Sequence, residues 1–400
     1  MQAPVEASAV GKRSRLATAP ALDTPTGSMP VSSRTRSAGL ATAPALDAPT
    51  ACARPGRATY RLAAATVLTC ALASVPTGPS RAAHHVEVLR STGGLPPHIV
   101  GAFREPSVFQ QARDGRYFVF DRRGQAVHRI DRDRAASTLL VQVGPEAGRI
   151  VGATTFDLGP GGRFVVADAP GGRERVQTFD LDGRRLGSFR LPGRAAPRIT
   201  LGPIVLNGVG SLDFTGASIL MSQPEIGGLV TRFSLNGHPY ETFGSFRRTG
   251  HEGDRDLHLA LNSGLPLADP HGDHYFVFQG GRPLFRKYDR NGALLFERHI
   301  EGAELDPLIN SLPTVWPRRP DDRGRELPVV PPIVRTAAVD RAGNLWVALS
   351  TPFLYVYDPS GEKIRTVRLQ AAGVVHPSSL HFPDDTRMLV APGCYEFTVW

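Results

Sequence analysis

Residues 269–300 read DPHGDHYFVFQGGRPLFRKYDRNGALLFERHI. Gly272 sits in a polar turn, and HYFVF after it is a run of aromatic and β-branched side chains, the composition of a strand. A second turn, YDRNG at 288–292, follows LFRKY and leads into a third run, ALLFERHI. Turn residues that tolerate positive φ, set between apolar runs of strand length, predict antiparallel hairpins.

The first piece recurs at 112–120 (ARDGRYFVF), 159–167 (GPGGRFVVA), 213–221 (DFTGASILM), 340–348 (DRAGNLWVA) and 382–391 (FPDDTRMLVA), the turn residues lying 47, 54, 56, 71 and 42 apart. The aromatic-led turn recurs at 179–183 (FDLDG), 233–237 (FSLNG) and 357–361 (YDPSG). Each unit therefore holds two hairpins, or four strands. Such a sheet cannot cover both its faces alone, and stacking neighbours into a closed ring also removes exposed edges. The repeat predicts an all-β, six-bladed β-propeller with four-stranded antiparallel blades. The last unit stops after its third strand (395–400), and residues 85–91 (HVEVLRS) alternate like a strand. That N-terminal strand is expected to complete the sixth blade and latch the ring. These turn-and-strand motifs, across about residues 84–400, resemble the six-bladed propellers of the NHL-repeat and related exported families. The resemblance implies a funnel-shaped molecule whose ligands sit at one end of a central channel, and it leaves the chemistry open.

Composition agrees with a turn-rich β class: 42 Gly and 35 Pro accompany 41% hydrophobic residues, enough for a large core. Charge is uneven. Residues 1–83 carry nine Lys/Arg against three Asp/Glu, whereas 84–400 are nearly balanced at 37 against 34. The basic whole-chain average therefore gives no footprint for nucleic acid. Residues 1–56 are rich in Ala, Pro, Thr and Ser and duplicate LATAPALD(T/A)PT at 16–26 and 40–50, which reads either as a disordered segment or as a mis-assigned start. Residues 57–83 run basic, apolar, small, the order of a signal peptide cleaved after Ala73 or Ala82, or of a signal anchor left uncut. The expected location is periplasmic or secreted, with membrane contact only through that segment if it stays. Cys394 then remains alone, so no internal disulfide can form.

In a propeller, b–c turns and blade-to-blade links share one end of the ring. Two links are long, 246–257 and 301–332, and long loops of this kind tend to carry function. The expected ligand-binding face therefore comprises Arg122, Arg123, Asp168, Arg173, Arg247, His251, Arg282, Trp316, Arg318 and Arg319, whose Arg forks suit carboxylate or phosphate on an acidic ligand or protein. The bland alternative is scattered surface Arg neutralised by nearby Asp. His251, Glu252, Asp254, Asp256 and His258 hold metal-type donors without a fixed ligand spacing, and Asp269, His271, Asp273 and His274 fall on a turn that is polar for its own reasons. Asp121 and Asp168 end b strands, where an Asp more often caps its turn. Nucleophile-elbow, zinc-helix, Cys-x-x-Cys and phosphate-loop motifs are missing. The expectation is a monomeric, exported binding propeller without catalysis or cofactor. The alternative is a lactonase-like hydrolase or a lyase with a divalent metal such as calcium in the channel, for which Asn207 and Glu225 are the donors on offer.

Overall fold

The computed structural model describes residues 85–191, 199–201, 204–206, 211–320 and 324–399. The chain divides into two units, Met1–Pro76 and Thr77–Trp400, and every described residue lies in the second. The leader, the duplicated segment and Asn207 fall outside the described residues. No helix among the described residues is long and apolar enough to cross a membrane.

The fold is mostly β and built from repeated four-stranded antiparallel meanders, the organisation of a β-propeller. The first meander is Pro106–Gln111, Tyr117–Asp121, Ala126–Ile130 and Ser137–Val141; the second is Thr155–Gly159, Arg163–Asp168, Arg175–Asp180 and Arg185–Arg190. The third is Leu212–Phe214, Ser218–Met221, Val230–Ser234 and Pro239–Phe243; the fourth is Gly264–Ala268, His274–Phe278, Leu284–Tyr288 and Leu294–His299. An eight-stranded sheet carries Val334–Val339, Leu345–Leu349, Leu354–Tyr357 and Lys363–Gln370 on one side, and Ser379–His381, Arg387–Ala391 and Tyr395–Thr398 on the other.

Val86–Gly94 joins those two halves. Its first part, Val86 to Arg90, pairs in parallel with Thr366 to Gln370, and only Ser91, Gly93 and Gly94 pair antiparallel with Tyr395, Glu396 and Phe397. The N-terminal strand joins the last meander as expected, but it does so through Ser91–Gly94, runs longer than residues 85–91, and also pairs with the outer strand of the meander before. Leu89 explains the placement, since it is buried with Val367, Leu369, Phe397 and Val399, drawn from both halves. The Arg365 guanidinium adds two hydrogen bonds to Glu87 at 2.8 and 2.7 Å.

The core lies between consecutive meanders. Phe118, Phe120, Phe156 and Phe164 pack between the first and second; Ala167, Val176, Phe214 and Met221 between the second and third; Leu220, Phe243, Phe276 and Tyr288 between the third and fourth. Tyr275 and Phe285 of the fourth meet Val347 and Tyr357, and Trp346 meets Met388 and Val390. Phe109, Tyr117 and Val119 of the first meander then pack on Leu389, Ala391 and Cys394, so the series of interfaces returns to its start.

The aromatic-led turns have two physical requirements. Their Asp caps the turn: Asp289 Oδ1 accepts from the Asn291 and Ala293 N–H groups at 2.9 and 2.8 Å, and Asp358 Oδ1 does the same for Ser360 and Glu362. Their Gly supplies positive φ and close approach. At Gly361 φ is +88°, and a Cβ there would stand 2.7 Å from Phe296 in the preceding meander.

The links carry structure of their own. Arg318–Pro320 and Glu326–Val330 form a hairpin that pairs in parallel with Ile199–Leu201, itself paired with Ile204–Leu206. The helix Arg255–Leu261, capped by Asp254 Oδ1 accepting from the Leu257 N–H, packs Leu257 and Leu261 with Val330, Phe246 and Trp316. Ile199–Leu201 and Ile204–Leu206, from a third link, thus pair with the second of the two expected ones.

Gly361→Ala is expected to cost roughly 2–4 kcal/mol, the sum of left-handed strain and overpacking. Gly171→Ala, at φ +62° with nothing within 4 Å of its Cβ, should cost only about 1 kcal/mol. Urea unfolding midpoints of both variants against the parent check the difference.

Candidate functional site

The innermost strands of the meanders line one channel of about 1530 Å³. Neighbouring inner strands are stitched by side chains, and the stitching is polar on one arc. Leu158 N–H donates to Gln110 Oε1 at 2.9 Å, while Gln110 Nε2 donates to Asp157 Oδ1 at 2.8 Å. Phe214 N–H donates to Asp157 Oδ2 at 2.6 Å, and Ala268 N–H donates to Asp213 Oδ2 at 3.0 Å. On the other side of Gln110, His381 Nε2 lies 3.3 Å from Gln111 O, and Ser379 Oγ accepts from Phe109 N–H at 3.3 Å. The opposite wall is apolar, formed by Leu265, Leu267, Ala337 and Val339.

Register explains why these groups converge. Gln110, Asp157, Asp213 and His381 pair with Phe118, Val165, Leu220 and Leu389 on the next strands out, each just short of its turn. Alternation then points all four side chains to one level of the channel. Asp157 and Asp213 are half-buried where they line the void. Burial holds the Asp157 carboxyl above the usual range, and burial plus the Asp157 charge holds Asp213 well above it. Burial pushes His381 down to about 4, with Arg341 and Arg387 adding to the effect.

Arg387 is tied to Asp384 at 2.7 Å and to Gln111 Oε1 at 3.0 Å. Arg341 is exposed and donates to Pro383 O, and Arg113 is exposed with no hydrogen bond or ion pair among the described residues. Elsewhere in the channel, Glu105 is matched by Arg122 and Asp269 by Lys287 at 3.2 Å, whereas Arg335 donates to Pro377 O and Asp340 accepts from the Ala342 and Asn344 N–H groups of its own turn.

The residues expected on the link-bearing face have varied fates. Arg122 lines the channel against Glu105. Asp168 is buried under Arg175, which reaches it at 2.9 and 2.6 Å, and Asp121 accepts from Arg104, Glu105 and Gly124 N–H groups, so both are structural. Arg247 is largely buried, donates to the carbonyls of Leu261, Gly280 and Arg282, and lies 4.5 Å over Phe278; burial brings its pKa down to about 10. Trp316 Nε1 donates to His251 Nε2 at 3.3 Å, and Arg318 pairs with Asp254. Arg123, Arg173, Arg282 and Arg319 are exposed. Gln110, Asp157, Asp213 and His381 were not singled out from the sequence, where nothing marks them beyond a polar residue shortly before each turn.

No group of three or more His, Cys, Asp or Glu among the described residues converges as a metal set. Asp157 has both oxygens engaged by neighbouring donors and Asp213 has one, which does not fit the six to eight oxygens calcium takes. Glu225 lies on a 3-10 turn away from the channel lining.

No family model and no curated protein matches the chain. Among solved structures it is similar to a virginiamycin B lyase from Staphylococcus aureus, at 11% identity over 74% of this chain and 95% of that one, TM-score 0.45. It is also similar to regucalcin, a calcium-binding protein from Agrobacterium tumefaciens, at 11% identity over 79% and 95%, TM-score 0.42. At such TM-scores the likenesses leave fold and chemistry to be read from this chain's own residues.

A carboxyl whose folded pKa is raised keeps its proton after the unfolded chain has lost it, so its contribution to stability falls as pH rises above the ordinary value of 3.8. Asp213→Asn, which can still accept from Ala268 N–H, should therefore be more stable than the parent at neutral pH. The gain should vanish as pH falls toward 3.8, a trend that urea unfolding from pH 4 upward reads directly.

Proposed function

We propose that residues 84–400 form a six-bladed propeller that takes a ligand in its central channel, at the level of Gln110, Asp157, Asp213 and His381. The observation that carries this reading is the pair of carboxyls facing a large void, hydrogen-bonded to backbone and Gln110 and with no ion pair among the described residues. Ring closure, with Val86–Gly94 as the latch, makes the void a channel and holds its walls rigid. The exposed arginines of the link-bearing face are scattered, and its better-placed ones serve neighbouring carbonyls and Asp254, which favours the channel over that face. Binding is the activity this reading assigns to the channel; metal-assisted hydrolysis or elimination at the same place is the alternative.

A thermal-shift panel of sugars, nucleosides, amines and short peptides tests the location. Hits should weaken about tenfold or more in Asp157→Asn, the size of a lost charged hydrogen bond, and remain unchanged in the double variant Arg173→Ala, Arg319→Ala. The opposite pattern would place the ligand on the link-bearing face and end the channel reading.

We also propose export, directed by a leader at about residues 57–82. N-terminal sequencing of the mature protein from the expressing cell should begin at Ser74 or Ala83; a chain that retains residues 57–82 in a soluble cytoplasmic fraction contradicts it.

A further inference from the structure

We propose that a divalent cation of the calcium type binds between the second and third meanders at their link-bearing end, held by the Glu174 and Glu225 carboxylates and the Gln223 amide oxygen. None of the three residues lines the channel, so the site is independent of the channel reading.

Three observations combine. First, two enclosed oxygens here have no donor. Gln223 is only 5% exposed, and its Oε1 is buried without a hydrogen-bond partner. Glu225, in the 3-10 turn Pro224–Ile226 that Gln223 precedes, likewise has Oε1 buried without a partner. Buried acceptors in native folds are otherwise almost always satisfied, by protein, water or an ion. Second, register turns Glu174 and Gln223 toward the same interface. Glu174 extends the strand Arg175–Asp180 by one residue, its C=O accepting from Leu191 N–H at 3.1 Å. Leu191 and Val176 both pack into the cluster shared with the third meander, so alternation aims Glu174 there too. Arg173 and Arg175 lie on the opposite side; Arg175 is committed to Asp168 at 2.6 Å, and Arg173 is exposed. From the third meander, Met221 packs into that same cluster, and Gln223 follows it by two residues. Third, the two carboxyls feel each other and have no ion pair among the described residues. Burial, and then the Glu225 charge, push Glu174 up to about 8. Burial also holds Glu225 above its ordinary range, against its own backbone N–H and the charge of Arg255, which is exposed and makes no ion pair among the described residues. The donors are all oxygen, with no imidazole or thiolate, which selects a hard cation over zinc or copper. Each carboxylate can give one or two oxygens, and water completes the roughly six to eight that calcium takes.

Calorimetric titration of calcium chloride into the full chain, stripped of metal beforehand, tests the site. Calcium should bind with a Kd on the order of 10⁻⁴–10⁻³ M, the range of sites with few charged ligands. Glu174→Gln and Glu225→Gln should each weaken binding about tenfold or more. Both changes relieve charge crowding, so in chelator these variants should melt no lower than the parent, which separates a lost ligand from a lost fold. Should either fail to fold, Gln223→Leu carries the same expectation for binding. Arg255→Gln removes the positive charge that opposes the ion at Glu225 and should tighten binding a few-fold, an effect that a merely structural role for the two carboxyls would not produce. No binding at about 10 mM calcium, parental affinity in either Glu variant, or an Arg255→Gln variant that binds no more tightly overturns the proposal. Binding that is lost in Asp157→Asn and kept in Glu225→Gln overturns it as well and moves the ion into the channel.

Discussion

A four-stranded meander leaves two apolar faces bare, and everything else in this structure follows from covering them. Each face here is covered by the next meander, through clusters dominated by Phe, Val and Leu. Because burying one large side chain is worth roughly 1.5–3 kcal/mol, an interface with several of them outweighs any single hydrogen bond in the molecule. An open stack would still expose its first and last faces. The packing of Phe109 and Tyr117 against Leu389 and Cys394 removes that liability. Close approach is then needed wherever a turn meets the preceding meander, and this is why glycine occupies the aromatic-led turns.

Closure also explains the latch. A three-stranded last meander would present a bare edge at Tyr395–Thr398, while the outer strand Lys363–Gln370 would present another. Val86–Gly94 satisfies both with one segment, its first part parallel to Lys363–Gln370 and its last part antiparallel to Tyr395–Thr398, with a bulge between Ser91 and Gly93. Gly94 permits the close pairing there: a Cβ on it would stand 2.3 Å from Cys394 O. An alternating heptapeptide in the sequence reveals a strand but not that it serves two sheets, since partner choice is set by which surfaces stay uncovered.

Legibility in the sequence divides along the same line between local and assembled features. Turns, strands and the four-strand repeat were readable because positive φ and β-branched composition act over five to ten residues. The link layer was not: the Arg318–Pro320 hairpin pairs with Ile199–Leu201, more than a hundred positions away, and no spacing rule announces that. Charge was the most misleading signal. Arg247, Arg175 and Asp168 look like surface polarity on paper, yet their partners are carbonyls and each other inside the fold. The acid pair was invisible for the complementary reason, that Asp157 and Asp213 lie 56 positions apart and meet only because the register of two meanders puts them at one level.

Gln110 shows what the acid pair is not for. It performs the same stitching as Asp157 and Asp213, accepting from the backbone N–H of the next inner strand, and it does so without charge. An amide at 213 would hold the ring together as well, since one oxygen suffices for Ala268 N–H, and would not carry the penalty of a carboxyl held well above its ordinary range. Features that lower stability without a structural return concentrate at functional sites.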